Sequence, residues 1–222
     1  MATKNLQKEE KLTSEQKMIG TVSNFVVKYR VLLFIATAVL IVGISCAIVI
    51  VSLTNKAKDK AQIRIAEMEE QYTEVVVSET PDFTSLISDL QAMIGGSSYP
   101  SVKAAYLLGL CYYEEGKLSD AQAAFEQAYS LNKNIYLAPL ALCNAAACAD
   151  EQGNTAKALE IYNQIYADYP ESGTAPKALF NAARIYYQMG NTQLAQASFA
   201  QVADYYPSSE YGKLAKNLAN VL

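Results

Sequence analysis

Three glycines, Gly116, Gly153 and Gly190, follow one another at intervals of 37 residues, and each interrupts an otherwise helical stretch: YYEEGKLSDA, ADEQGNTAKA and YYQMGNTQLA. A fixed period of this size is the mark of stacked supersecondary units, none of which can bury its apolar face alone. Each unit reads as a helix, a glycine turn and a second helix, with starts near Val102, Pro139 and Pro176. The fold class expected is all-α: a solenoid of three units over residues 101–222, without strands.

A second feature lies before the array. Val31 to Leu53 is a run of 23 residues without a charge. As a helix it spans about 34 Å, enough to cross a bilayer. A cleaved signal peptide has a shorter apolar core that ends at a small-residue site. Gly43-Ile44-Ser45-Cys46 loosely matches a lipid-attachment signal, yet Cys46 is followed by the apolar AIVIVSL rather than by polar sequence. The run is therefore read as one transmembrane helix, residues 31–53, after a tail of residues 1–30. Gly43 and Ala47 form a small-xxx-small pair, so a homo-oligomer through this helix is a further expectation.

Charge is distributed asymmetrically. Residues 1–30 hold six Lys/Arg against three acids, residues 54–64 four against one, and residues 65–222 eight against eighteen. An acidic domain of this kind is repelled by phosphate, so no nucleic acid partner is expected. Near the two ends of the apolar run the Lys/Arg count ties, and the positive-inside rule alone does not choose an orientation. Lys4 and Lys8, together with the long C-terminal portion, favour a cytoplasmic N-terminus and a repeat domain on the periplasmic side.

Residues 54–100 join anchor and array. Ile65, Met68, Tyr72 and Val75 form a narrow apolar stripe at helical spacing. Either a solvated stalk or a coiled coil would account for that stripe. A second helix follows Pro81, with Asp82 as its N-cap, an apolar face of Phe83, Leu86, Ile87, Leu90 and Ile94, and Gly95-Gly96 as its stop. Covering that face calls for a degenerate helical pair, residues 57–94, at the N-terminal end of the array. At the other end, Ser208 or Ser209 leads into a capping helix with Tyr211, Leu214, Leu218 and Leu222 on one face and Lys213 and Lys216 on the other.

Leu108, Gly109, Tyr112, Ala121, Phe125 and Ala128 in the first unit resemble the pattern of the tetratricopeptide repeat (TPR). So do Ala158, Tyr162 and Pro170 in the second unit, and Tyr186, Ala195, Phe199 and Pro207 in the third. Ala146 and Ala149 depart from that pattern, Lys133 stands where a closing proline is usual, and each unit is three residues longer than the common repeat. The longer linker, DYPESGTAPKAL, is similar to that of bacterial envelope members. With the anchor included, the chain resembles the YfgM-like proteins, ancillary partners of the SecYEG translocon and of periplasmic chaperones. The resemblance implies that the first helix of each unit lines a concave groove. Carried onto this chain, the groove positions are Tyr106, Leu110 and Tyr113, then Cys143, Ala147 and Asp150, then Phe180, Arg184 and Tyr187. The Lys/Asn clamp that some members use for carboxyl termini is not reproduced.

Little else invites chemistry. The chain has no histidine and no CxxC, so no metal or cofactor is expected. Glu114-Glu115, Asp150-Glu151 and Asp120 fall at turns, where acids are ordinarily solvated. Cys111 and Cys148 occupy equivalent positions of adjacent units, which leaves a bridge open, although buried free thiols fit better. The function expected is a non-enzymatic, membrane-anchored adaptor. It would hold a translocon component, a chaperone or a client polypeptide against Tyr106, Leu110, Tyr113, Phe180, Arg184 and Tyr187, in a groove rich in hot-spot residue types. The alternatives are a scaffold of an envelope or motor assembly, and the same domain facing the cytoplasm.

Overall fold

The computed structural model describes residues 14–222, with side chains from residue 18 onward. All of its regular structure is helical: α1 Ser14–Val76, α2 Thr84–Met93, α3 Tyr99–Glu114, α4 Leu118–Leu131, α5 Leu137–Glu151, α6 Thr155–Asp168, α7 Ala175–Gln188, α8 Thr192–Tyr205 and α9 Glu210–Val221. The chain divides into two compact units at Lys58/Asp59. Lys4, Lys8 and Lys11 of the expected tail lie outside the described residues.

In the first unit, helix α1 begins at Ser14, well before the apolar run, so much of the expected tail is helical. Met18, Val22, Phe25, Leu32, Phe34, Leu40, Ile48 and Leu53 are all exposed around its circumference. Of the described helices, this one is long and apolar enough to cross a membrane. Cys46 is a free, exposed thiol on it.

The second unit is a succession of helix pairs: α3 packs on α4, α4 on α5, α5 on α6, α6 on α7 and α7 on α8. The turn inside each pair is set by Gly116, Gly153 and Gly190, at φ 72°, 77° and 76°. That left-handed conformation carries a strain for any residue with a Cβ. In the first pair Gly116 N–H donates to Tyr113 O at 2.9 Å and Lys117 N–H to Tyr112 O at 2.9 Å, the paired bonds of a Schellman closure. Asn154 and Asn191 then cap α6 and α8 by accepting from Lys157 N and Leu194 N. Lys117, at the equivalent place, offers α4 no side-chain cap.

Close packing inside the first pair depends on Gly109. A Cβ there would lie 2.6 Å from Phe125 Cδ1, so the phenyl ring rests directly on the α3 backbone. Successive units are tied by bonds that recur with the repeat. Gln164 Nε2 donates to Tyr129 Oη at 2.8 Å, and Gln201 to Tyr166 at 3.2 Å. Tyr169 Oη donates to Lys133 O at 2.8 Å, and Tyr206 to Pro170 O at 2.9 Å. These bonds cross from one unit to the one before it, on the outer helices and the linkers.

The stripe of α1 from Asp59 onward is neither a free stalk nor a coiled-coil seam. Ile65 and Met68 are buried in one core with Phe83, Leu86, Leu90, Leu107, Leu108 and Cys111, with Tyr72 and Val75 packed at its edge. Lys103 Nζ donates to Glu69 Oε1 at 2.6 Å and Arg64 to Asp89 at 3.3 Å, fixing this stretch against α3 and α2. A degenerate pair thus covers the N-terminal face of the array.

Three readings of the sequence are corrected here. Asp82 is not the N-cap of α2. Phe83 occupies that position, its carbonyl accepting the first helical bond from Ile87 N–H at 2.8 Å, and Asp82 Oδ1 accepts from Thr84 N–H at 2.9 Å one step earlier. Ile94 lies beyond the helix, in extended backbone at ψ 114°. On α9, Leu214 points outward at 48% exposure and Ala215 is the buried residue, because the close contact with α8 admits only a small side chain there. Ser209 is the α9 cap, accepting from Gly212 N–H at 2.9 Å. Cys111, Cys143 and Cys148 are buried free thiols. Burial pushes Cys111 up to about 12 and Cys148 up to about 11, so both stay protonated at neutral pH.

Candidate functional site

The first helices of the three units, α3, α5 and α7, present equivalent positions at 37-residue spacing. The structure separates the six candidate residues into two groups. Leu110 and Tyr113 line one cleft of about 370 Å³ with Glu114, Phe125, Asn144, Ala147, Glu151 and Lys177. Leu110 and Ala147 give it partly exposed apolar surface, Glu114, Asn144, Glu151 and Lys177 give it polar groups, and Phe125 lies behind at 1% exposure. Tyr113 is 38% exposed and its hydroxyl donates to Glu151 Oε1 at 2.7 Å. That bond, followed by burial, pushes the phenol up to about 12.

Tyr106 is only 9% exposed. Its ring lies 5.6 Å from that of Phe125, and its hydroxyl accepts from Asn144 Nδ2 at 3.1 Å. It braces Asn144, a lining residue, from behind. Arg184 donates one nitrogen to Asp150 Oδ2 and another to Gln188 Oε1 at 2.9 Å. Tyr187 is 51% exposed.

Phe180 belongs to the other group. At 9% exposure it packs edge-on against Phe199 at 5.2 Å and against Tyr211 at 5.4 Å. It forms the core beneath the capping helix rather than a wall of the groove. Helical spacing places it on the same face as Arg184, but the aromatic Tyr211 of α9 reaches over and covers it. Cys143 is likewise buried, at 1% exposure.

A larger cleft lies outside the six candidate residues. About 750 Å³ opens along the linkers, between Lys133–Leu140 and Asp168–Thr174, with Tyr136, Tyr169 and Leu140 among its lining. The extra residues of each repeat lie in these linkers, which is the signal that pointed to it. Tyr136 is 68% exposed and stacks on Tyr99 with the hydroxyls 3.0 Å apart.

Tetratricopeptide repeat family models match residues 106–173 and residues 149–218. Residues 106–218 belong to the tetratricopeptide repeat family. No curated protein sequence matches the chain significantly. Among solved structures, a TPR protein from Parabacteroides merdae is similar at 23% identity and TM-score 0.54, covering 70% of this chain and 59% of that one. The nearly identical TPR-like repeats of a kinesin-light-chain-type protein from Podospora anserina align at 13% identity and TM-score 0.56, covering 70% of this chain and 83% of that one. PcrH from Pseudomonas aeruginosa aligns at 22% identity and TM-score 0.50, covering 59% of this chain and 97% of that one. At such identities the likeness is one of fold. TPR units are protein-interaction modules, and a partly exposed apolar cleft flanked by hydrogen-bonding side chains is what such a module offers a polypeptide.

Proposed function

We propose that this chain is a membrane-anchored TPR adaptor that holds a polypeptide partner in the groove formed by α3, α5 and α7. The observation that carries the reading is the cleft at Leu110, Tyr113 and Ala147: an apolar floor left partly open, with Asn144, Glu151 and Lys177 around it. Arg184 and Tyr187 extend the same row of positions onto α7, whereas Phe180 supports the groove from within. Residues 31–53 serve as the anchor, on the strength of their length and apolar surface. The lysine distribution favours a cytoplasmic N-terminus and repeats on the periplasmic side. Resemblance to the YfgM-like proteins supports a place near the Sec translocon and periplasmic chaperones.

Photo-crosslinking residues placed at Tyr113 and Tyr187 in living cells test this reading. Capture of translocon, chaperone or client chains from both positions is the expected result. Capture of cytoplasmic proteins alone would reverse the orientation, and a pair of silent positions would remove the groove as a docking site.

A further inference from the structure

The groove is polarised along its helices. α3 ends at Glu114 and α5 ends at Glu151, and neither helix has a basic residue in its last turn. Helix C-termini are the negative end of the helix dipole and favour cations. Here two such ends lie side by side, each with a carboxylate added, and both carboxylates line the cleft that exposes Leu110 and Ala147.

Three neighbouring cations are committed elsewhere. Lys117 pairs with Glu115 at 3.0 Å, Arg184 with Asp150, and Lys103 with Glu69 at 2.6 Å. Among the described residues, no cation lies within ion-pair distance of Glu114 or Glu151. Their recorded partners are the phenols of Tyr72, at 3.5 Å from Glu114, and of Tyr113, at 2.7 Å from Glu151. Lys177 is the one positive side chain among the lining residues, and it is borne on α7 rather than on the two helices that end in glutamate.

We infer that the groove is selective for a peptide segment in which an arginine or lysine adjoins an aliphatic residue. The cation lies between Glu114 and Glu151, and its methylene stem and the aliphatic neighbour lie on Leu110 and Ala147. This rests on the reading of the groove as a docking site and adds the chemistry of its occupant. Long basic side chains suit such a place, since they cover apolar surface while keeping the charged head at a polar rim.

The test is a selection of a random displayed peptide library on the full chain in nanodiscs, run in parallel on the double variant Glu114→Gln, Glu151→Gln. Both substitutions are isosteric and exposed, and circular dichroism verifies the fold. The expected result is enrichment of Arg or Lys beside Leu, Ile or Val on the native chain. That preference is lost on the double variant, with affinity of the best native-selected peptide falling about tenfold and weakening with salt. Enriched peptides that lack a basic residue, or that bind the two proteins equally, would overturn the charge assignment and leave the groove standing. If no peptide is enriched and the Tyr113 crosslinker is also silent, the docking site itself is refuted.

Discussion

At the scale of single residues, the repeat tolerates no methyl group at Gly109. Its hypothetical Cβ lies 2.6 Å from two ring carbons of Phe125, a ring that is itself 1% exposed and hemmed in by Tyr106. Overpacking a filled site of this kind costs about 1–3 kcal/mol, so Gly109→Ala should lower stability by that amount despite alanine's better helix propensity. Denaturant unfolding of the variant measures it, and an unchanged midpoint would mean that the Phe125 ring moves freely. The role of Gly109 was legible in the sequence because small residues at fixed repeat positions have a steric meaning. Phe180 was not. Spacing places it beside Arg184, and only the arrival of Tyr211 from α9 decides that it is buried. The same limit explains Leu214, which alternates with Ala215 at a helix face whose neighbour the sequence does not show.

Helices and turns obey the repeat more strictly than side chains do. The three glycines with φ between 72° and 77° mark turns that could be read directly from their period. The start of α2 could not, since Asp82 is the better side-chain cap yet the first helical bond is accepted by the carbonyl of Phe83. Capping differs among the three second helices. Asn154 accepts from Lys157 N–H at 3.3 Å and Asn191 from Leu194 N–H at 3.3 Å, whereas Lys117 has no side-chain acceptor. Losing an N-cap acceptor typically costs about 0.5–2 kcal/mol. Asn154→Ala is therefore expected to destabilise the chain toward the lower part of that range, because the bond is long. Lys117→Asn should act in the opposite sense by a few tenths of a kcal/mol, since it adds a cap and gives up only an exposed ion pair with Glu115. Paired urea titrations of the two variants check the signs. No change in either variant would show that turn conformation alone, without the side-chain bond, starts these helices.

On the scale of the whole repeat domain, stability comes from contacts between consecutive units, so its polar seams should respond to pH together. Several hydroxyls and thiols are held in their neutral form by the fold. Tyr99 is pushed up to about 12 by its bond to Tyr136, Tyr113 to about 12 by its bond to Glu151, and Tyr72 and Tyr169 to about 12 chiefly by burial. Cys111, likewise buried, reaches about 12. Their ordinary values are 10.0 for the phenols and 9.0 for the thiol. A folded-state value raised above the unfolded one means that the unfolded chain releases protons first as pH climbs. The stability these groups contribute is therefore complete below their ordinary values, declines above them, and is gone beyond about 12. Melting curves collected from neutral to strongly alkaline pH should stay level until the phenols' ordinary range and then fall steeply. Because Tyr99 and Tyr169 bond across successive units, loss of helical circular dichroism and the rise of tyrosinate absorbance should coincide for this pair. Phenolate absorbance that develops fully near the ordinary value of 10.0, with the helical signal intact, would show that these seams are open to solvent in the native chain.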